Sequence, residues 1–252
     1  MEKNIIIPKI HILGCYIHKL SMDETVSLID QSIQKRVHIL HMAVNAAKIV
    51  NIHKDSYLRQ AVLSSDLINA DGQAVVWASK FLGQPLTERV TGIDLMSNLM
   101  ALSYKRKYKI FFFGAKEEVV KKVVEYYATH YDANLIAGYR NGYYSTDQEA
   151  EIARMIAESK ADILFVAMTS PKKEIFLNTY KDVIGTPFIM GVGGSFDVVS
   201  GITKRAPAWM QKSGLEWLYR IFQEPSRMWK RYLITNTQFI SMVFRHKLGF
   251  DN

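Results

Sequence analysis

Two charged side chains in the first hundred residues have the chemistry of a group-transfer site. Asp71 directly follows a short apolar run, and a carboxylate there could act as a general base. Arg89 lies in a loop from Thr87 to Gly92, where a guanidinium could clamp a diphosphate with two hydrogen bonds. Each residue also has a simpler interpretation. Asp71 would fit a helix N-cap or Asx-turn, and Arg89 would fit a surface ion pair with Glu88 or another acid.

Three further junctions could bind phosphate. Gly114 ends an apolar strand, the segment 169–174 is rich in Ser and Thr, and the segment 191–197 contains three glycines. Each junction leads into a helix and would present backbone N–H groups to an anion, with Lys172 or Lys173 adding positive charge. A glycine pair alone is equally consistent with a tight turn, so no single junction decides the function.

Several other chemistries have no support in the sequence. It contains no Gly-x-x-x-x-Gly-Lys-Ser/Thr loop, no Gly-x-Ser-x-Gly elbow and no His-Glu-x-x-His pair. An Asp-x-Asp pair is also missing, and the single cysteine, Cys15, excludes a disulfide framework. We therefore expect no metal and no cofactor. A bound diphosphate would be neutralised by cationic side chains and helix N-termini.

The elements that must position these residues alternate between strand and helix. Strands are predicted at 37–40, 66–69, 109–113, 134–138, 162–168 and 187–192. Helices are predicted at 21–35, 73–81, 93–104, 116–130, 147–159 and 171–182, with another beginning at Asn45. This alternation predicts an α/β fold, a Rossmann-like parallel sheet covered by helices. Asp71 and the three junctions would then meet at the carboxyl edge of that sheet.

The last fifty residues have a different character. Residues 201–252 contain nine basic and three acidic residues, a net charge of +6, together with Trp209, Trp217 and Trp229. Helices are predicted from Ala206, at 215–222 and at 226–246. We expect two parts, an α/β body at 1–200 and a basic, aromatic helical appendage at 201–252. Such an appendage favours an anionic surface, either acidic lipid or nucleic acid, although a solvated helix face is the simpler alternative.

Four basic residues of the appendage are the candidates for membrane contact. Arg227, Lys230 and Arg231 fall at i, i+3 and i+4 of the last helix and so share one face, and Arg220 precedes them. The sequence contains no run of roughly 18 to 20 apolar residues and no secretory signal. We therefore expect a cytoplasmic protein that associates peripherally with the inner face of the cell membrane.

Many blocks of the sequence, in order, resemble the WecG/TagA/CpsF family of bacterial glycosyltransferases. The resemblance covers roughly residues 10–233. The blocks that carry it are 70–72, 82–95, 113–115, 138–143, 170–174, 191–197, 204–210 and 214–220. It implies a nucleotide-sugar-binding catalytic domain at 1–200. It also implies that the appendage reaches the membrane and helps close the active site.

The resemblance also implies a reaction. A hexose, N-acetylmannosamine in the best-known members, moves with inversion and without metal from a UDP-sugar to a lipid-diphosphate-linked sugar, in bacterial surface polysaccharide synthesis. Asp71 would deprotonate the acceptor hydroxyl, and Arg89 would stabilise the departing UDP. The substrate-binding residues that it implies are Asn45, Gly114, Tyr143, Lys173, Gly193 and Asp197.

Two positions depart from the family pattern and leave the sugar open. Ala43 stands where the family has Thr, and Lys173 where it usually has Gln. UDP-glucose or a UDP-uronic acid is therefore the alternative sugar donor. We expect no nucleic-acid partner, although a nucleic-acid-binding module is the alternative from a different class. A homo-oligomer stays an open alternative.

Overall fold

Six parallel strands form the centre of the computed structural model, which describes residues 7–250 and omits the side chains of Arg227 and Arg231. Their order across the sheet is β4-β3-β8-β7-β5-β6, and β1 and β2 form a separate antiparallel hairpin. The strands are β1 Lys9–Ile12, β2 Cys15–His18, β3 Ile39–Val44, β4 Leu67–Ala70, β5 Ile110–Gly114, β6 Ile136–Arg140, β7 Ile163–Ala167 and β8 Phe188–Gly191. The predicted α/β fold with a parallel sheet is confirmed.

Helices cover both faces of the sheet, and this explains why its strands are apolar throughout. Every residue of β4, β5, β7 and β8 is buried. The helices of the body are α1 Met22–Gln34, α2 Ala46–Ile52, α3 Ser56–Leu63, α4 Gln73–Phe81, α5 Gly92–Arg106, α6 Glu117–Tyr127, α7 Glu149–Glu158, α8 Lys172–Ile184 and α9 Ser195–Val199. One core contains side chains of α2, α3, α7 and α8, and the other contains those of α1, α5, α6 and α9.

Three helices form the C-terminal part: α10 Ala208–Lys212, α11 Glu216–Gln223 and α12 Pro225–Lys247. The last helix packs along α2, and its buried Phe239 and Val243 join the core on that face. In the part of the chain that the structure describes, no helix is long and apolar enough to cross a membrane. The division of the chain at residue 200 stays a prediction.

The elements follow the predicted pattern with a few differences. The predicted capping box at Ser21 and Glu24 begins α1, and α4 has the predicted bounds. The strand predicted at 37–40 instead spans Ile39–Val44, because its ladders with β8 and β4 begin at Ile39 and His41. The hairpin of β1 and β2 and the helices α3 and α9 were not predicted. All are short, with four to eight residues each.

Candidate active site

The carboxyl ends of the parallel strands bring most of the predicted site residues to one edge of the sheet. Asn45 follows β3, Asp71 follows β4, Gly114 ends β5, and Gly193 lies just after β8. Lys173 is the second residue of α8, which follows β7. Ligands of open parallel sheets bind at this edge, in the loops that lead into the helices. The predicted residues are therefore grouped where a ligand site is expected.

Three hydrogen bonds fix the position of Asp71 and of its neighbour Ala70. Its amide N–H donates to the Val44 carbonyl at 2.8 Å, which extends the β3–β4 pairing by one residue. Its carboxylate oxygen Oδ1 accepts a hydrogen bond from the Gly92 amide at 3.0 Å, and the Val90 amide donates to the Ala70 carbonyl at 2.9 Å. The N-cap of α4 is Gly72, without a side-chain bond. The N-cap interpretation of Asp71 is therefore wrong, and its carboxylate instead holds the loop that carries Arg89.

Arg89 reaches from that loop to the C-terminal part of the chain. Its Nη1 lies 2.8 Å from Oε2 of Glu216, and its Nη2 donates to the Gln211 carbonyl at 3.1 Å. Arg89 therefore forms an ion pair, with Glu216 rather than Glu88 as the acid, but not the surface ion pair of the simpler interpretation. Glu88 instead accepts a hydrogen bond from the Met22 amide. The Arg89 side chain is only 15% exposed, so this pair is not a solvated surface contact.

A group of three buried charges lies beside the site. The Glu174 side chain is fully buried, and its Oε1 lies 2.8 Å from Nζ of Lys48 and 3.2 Å from Nζ of Lys173. Burial alone would raise the pKa of the Glu174 carboxyl, but the two ammonium charges outweigh it and lower the pKa to about 2. The group therefore carries a carboxylate between two cations, with a net charge of +1 when both lysines are protonated.

Lys173 belongs to this buried group and also packs against the end of β8. Burial lowers the pKa of its ammonium, and the charge of Lys48 adds to that effect, while Glu174 and Asp71 raise it. The lysine stem runs along the end of β8, where a Cβ on Gly191 would lie 2.5 Å from Lys173 Cε. Because Gly191 has no side chain, the Lys173 side chain can occupy this space.

The structure shows the local surroundings of Asn45 and of two of the predicted glycines. Asn45 is the N-cap of α2, and its Oδ1 accepts from the Lys48 amide at 3.0 Å. It therefore orients the helix that carries Lys48 toward Glu174. Gly114 has φ of +121°, and a Cβ there would lie 2.3 Å from the Ala167 carbonyl oxygen, so only glycine fits. Gly193 has φ of +54°, and nothing lies within 4 Å of a Cβ built there.

Tyr143 lies in the loop after β6, and Asp197 lies in α9, which follows β8. The Tyr143 side chain is 68% exposed, and its amide donates to Oδ1 of Asn141 at 3.0 Å. The neighbouring Gly142 amide donates to the Ala115 carbonyl at 2.8 Å, which joins this loop to the end of β5. Asp197 lies in α9, and its carbonyl accepts from the Thr203 amide at 2.9 Å. A role of either side chain in substrate binding stays a prediction.

The four membrane-contact candidates lie on the two last helices. Arg220 is exposed on α11, and Lys230 is exposed on α12. The side chains of Arg227 and Arg231 lie outside the described part of the structure. The structure therefore shows two of the four side chains, and both face solvent.

Sequence reasoning assigned no role to several residues that organise the site. They are Lys48, Asp94, Glu174, Arg205 and Glu216. Arg205 makes two ion-pair contacts with Asp94, at 2.7 and 2.8 Å, and its Nε lies 3.6 Å from Oε1 of Glu216. The signals were present, because Glu174, Arg205 and Glu216 belong to the sequence blocks that carry the resemblance. Their partners, however, lie more than a hundred residues away along the chain.

Metal ligands are not grouped in the described structure. Between residues 7 and 250 there is no set of three or more His, Cys, Asp or Glu side chains placed to hold an ion. The expectation that the site works without metal stays a prediction. The cationic groups that could take the place of a metal near Asp71 are Arg89, Lys48 and Lys173.

A parallel α/β sheet whose carboxyl edge fixes a carboxylate against the loop that carries an arginine is an arrangement suited to group transfer. Residues 10–252 match the Glycosyl transferase WecG/TagA/CpsF family, and the chain belongs to this family of glycosyltransferases. The resemblance found in the sequence blocks is thereby confirmed.

Two relatives from Bacillus support the same assignment. The chain is 38% identical to a protein of Bacillus spizizenii over 189 residues, which cover 75% of this chain and 72% of the relative. It is 37% identical to a protein of Bacillus subtilis over 205 residues, which cover 81% and 77%. Both relatives are named N-acetylglucosaminyldiphosphoundecaprenol N-acetyl-beta-D-mannosaminyltransferase.

We predict that Glu174→Gln lowers the free energy of unfolding by about 3 kcal/mol, because it leaves Lys48 and Lys173 as unpaired buried cations. For a chain of this size that corresponds to a fall in melting temperature of roughly 10 °C, measurable by calorimetry. The matched control is Glu118→Gln, which removes an exposed carboxylate 3.9 Å from Lys116 and should change little. Equal melting of Glu174→Gln and the wild type would contradict the buried charge group.

Proposed function

We propose that the protein transfers a hexose, with N-acetylmannosamine as the first choice, from a UDP-sugar to a lipid-diphosphate-linked sugar. The main support for this proposal is the position of the segment 89–92 at the end of β4. This segment carries the cation Arg89, and its Gly92 amide binds the carboxylate of the base candidate Asp71. The names of both Bacillus relatives support the acceptor and the sugar. The reaction would serve the synthesis of a bacterial surface polysaccharide.

Asp71 acts as the general base in this proposal. Its carboxylate takes the proton of an acceptor hydroxyl while that oxygen forms a bond to the anomeric carbon of the sugar. The bond from the anomeric carbon to the diphosphate oxygen breaks at the same time, and UDP leaves with the electron pair. Attack from the face opposite the leaving group inverts the anomeric configuration. The Gly92 amide, which donates to Oδ1, keeps the carboxylate oriented for this step.

Arg89 supplies the positive charge that the leaving diphosphate requires. A guanidinium can donate two parallel hydrogen bonds to phosphate oxygens and keeps its charge at any working pH. Preorganised charges of this kind stabilise a leaving group without reorganisation during the reaction. With Arg89 in this role, and with the positive buried group of Lys48, Glu174 and Lys173 nearby, the proposed reaction runs without a metal ion.

The sugar specificity is the least constrained part of the proposal. The net charge of the buried group is positive, and this would also suit an acidic sugar such as a uronic acid. Both relatives, however, are named for N-acetylmannosamine transfer, so that sugar stays the first choice. A panel of UDP-sugars, each mixed with a lipid-diphosphate-linked N-acetylglucosamine, separates these donors by the UDP that is released.

The C-terminal helices support docking to an anionic membrane surface. Trp209 and Trp229 are 65% and 52% exposed, and Phe222 and Leu233 are also largely exposed. Aromatic rings of this kind partition to the lipid interface, while Lys and Arg side chains bind acidic headgroups. The exposed Arg220 lies on α11 with Phe222, and the exposed Lys230 lies on α12 with Trp229 and Leu233. We therefore propose that this region meets the inner face of the membrane, where a lipid-linked acceptor would be found.

We predict that Asp71→Asn lowers turnover by about 10²-fold or more, because an amide cannot accept the acceptor proton. UDP binding should be unchanged, since Asp71 is not proposed to contact the diphosphate. The measurement is UDP release with the lipid-linked acceptor, together with UDP binding by calorimetry.

The control for this experiment is Asp182→Asn, which changes an exposed acid near the C-terminal end of α8, away from the carboxyl edge of the sheet, and should keep full turnover. All reactions contain EDTA. Wild-type turnover in Asp71→Asn would remove Asp71 from the mechanism. Turnover that appears only after Mg²⁺ or Mn²⁺ replaces the EDTA would overturn the metal-independent part of the proposal.

The membrane proposal predicts that the wild-type protein pellets with anionic liposomes at low salt. Each Lys or Arg near an anionic surface contributes about 1 kcal/mol, so four of them suffice for reversible docking. The variant Arg220/Arg227/Lys230/Arg231→Glu should stay in the supernatant while circular dichroism shows that it remains folded.

A charge-matched variant tests whether position matters as well as total charge. Lys105/Lys122/Arg154/Lys160→Glu changes four exposed basic residues of the body, and both variants take the formal net charge from +8 to zero. We expect this second variant to pellet more than the first. If the two variants pellet equally, the appendage is not the docking surface. Binding to DNA that matches liposome binding in salt dependence would instead favour a nucleic-acid partner.

A further inference from the structure

One carboxylate from the C-terminal part lies between the guanidinium groups of Arg89 and Arg205. Glu216, the first residue of α11, places Oε2 at 2.8 Å from Nη1 of Arg89 and Oε1 at 3.6 Å from Nε of Arg205. Arg89 comes from the loop that Asp71 holds, and Arg205 from the segment after α9. Two cations that converge on two oxygens of one carboxylate could bind two oxygens of a phosphate group in the same way.

Asp94 holds the guanidinium of Arg205 but leaves its Nε–H without a hydrogen-bond acceptor. Its Nη1 and Nη2 contact Oδ1 and Oδ2 of Asp94 at 2.7 and 2.8 Å, so its fork is held by that carboxylate. Its Nε is shielded from solvent and has no hydrogen-bond partner, since the Glu216 oxygen at 3.6 Å is beyond hydrogen-bond reach. A buried donor without an acceptor is unfavourable, and an additional anionic oxygen at this point would satisfy it.

The space beside these groups is too small for a phosphate while Glu216 is in place. The cavity lined by Thr203, Arg205, Glu216 and Arg220 has a volume of about 30 Å³. That is enough for one or two water molecules, because a single water needs about 10 to 15 Å³ measured this way. A diphosphate can reach both guanidinium groups only if the Glu216 carboxylate withdraws.

The helix that carries Glu216 is weakly anchored. None of the side chains of α11 is buried, and Phe222 on this helix is 73% exposed. Gly214, just before the helix, has φ of +74°, a conformation that other residues would strain, and a Cβ there would lie 2.4 Å from Gln73 Cγ. Segments with few buried contacts open at low free-energy cost. Withdrawal of Glu216 therefore requires movement of a short helix whose other contacts, Trp217 with Tyr232 and Gln223 with Lys204, lie within the C-terminal part of the chain.

We propose that Arg205 is a second diphosphate-binding residue and that Glu216 is an internal competitor of the diphosphate. This inference rests on the proposed function, because it assumes that Arg89 binds the diphosphate of a UDP-sugar. Before binding, Glu216 keeps the two guanidinium groups oriented. When the diphosphate arrives, its oxygens replace the Glu216 carboxylate on Arg89 and supply the missing acceptor for Arg205 Nε. Glu216 and α11 are then released from the body.

Calorimetric binding of UDP to the full-length chain tests the competition. Glu216→Gln keeps the side-chain shape but removes its charge, so UDP should bind about fivefold more tightly. Arg205→Gln should weaken UDP binding about tenfold, as loss of a charge-assisted contact does. The matched control is Glu158→Gln, an exposed acid at the end of α7, which should bind UDP as the wild type does.

Hydrogen exchange of the wild-type protein gives a second readout that needs no variant. UDP should increase amide exchange in residues 216–223, and Glu216→Gln should show the increased exchange without UDP. The inference is overturned if UDP protects this helix, or if Glu216→Gln binds UDP no more tightly than the wild type. An Arg89→Gln variant with unchanged UDP binding would overturn the proposed function as well. Weaker binding in Arg89→Gln, with Arg205→Gln and Glu216→Gln unaffected, would remove this inference alone.

Discussion

The site depends on the contact between residues 89–92 and the end of β4. Two hydrogen bonds make it, from the Val90 amide to the Ala70 carbonyl and from the Gly92 amide to the Asp71 carboxylate. They place the base candidate, the cation Arg89 and the first turn of α5 side by side. Because Asp94 of that turn holds Arg205, the same contact also determines where the C-terminal part of the chain meets the body.

The buried group of Lys48, Glu174 and Lys173 connects stability with function. It joins α2 and α8, which leave two different strands, and it requires glycine at position 191. Burying three charges is costly, so such a group adds little net stability compared with apolar packing. Fixed charges near a reacting group, however, stabilise transition states because they need no reorganisation. The group is therefore better explained by the electrostatics of the site than by the stability of the fold.

The sequence predicted the fold well because the fold follows from local patterns. Buried strands such as β5 are apolar runs, and the Ser21–Glu24 capping box begins α1. The site was predicted only as a set of separate residues. The partners that organise it are distant in sequence: Lys48 and Glu174 are 126 residues apart, and Arg89 and Glu216 are 127. No local pattern reports such a pair, and only the folded structure shows that the N-cap of α4 is Gly72 rather than Asp71.

The central claim is that Asp71 activates the acceptor for a single displacement at the anomeric carbon. A carboxylate that acts as a base gives inversion, whereas one that acts as a nucleophile forms a covalent intermediate and gives retention. The most direct test is the anomeric configuration of the new linkage, determined by NMR on product made by the purified protein from a UDP-sugar of known configuration. We expect the configuration opposite to that of the sugar donor. A product with the same configuration as the sugar donor would contradict the central claim.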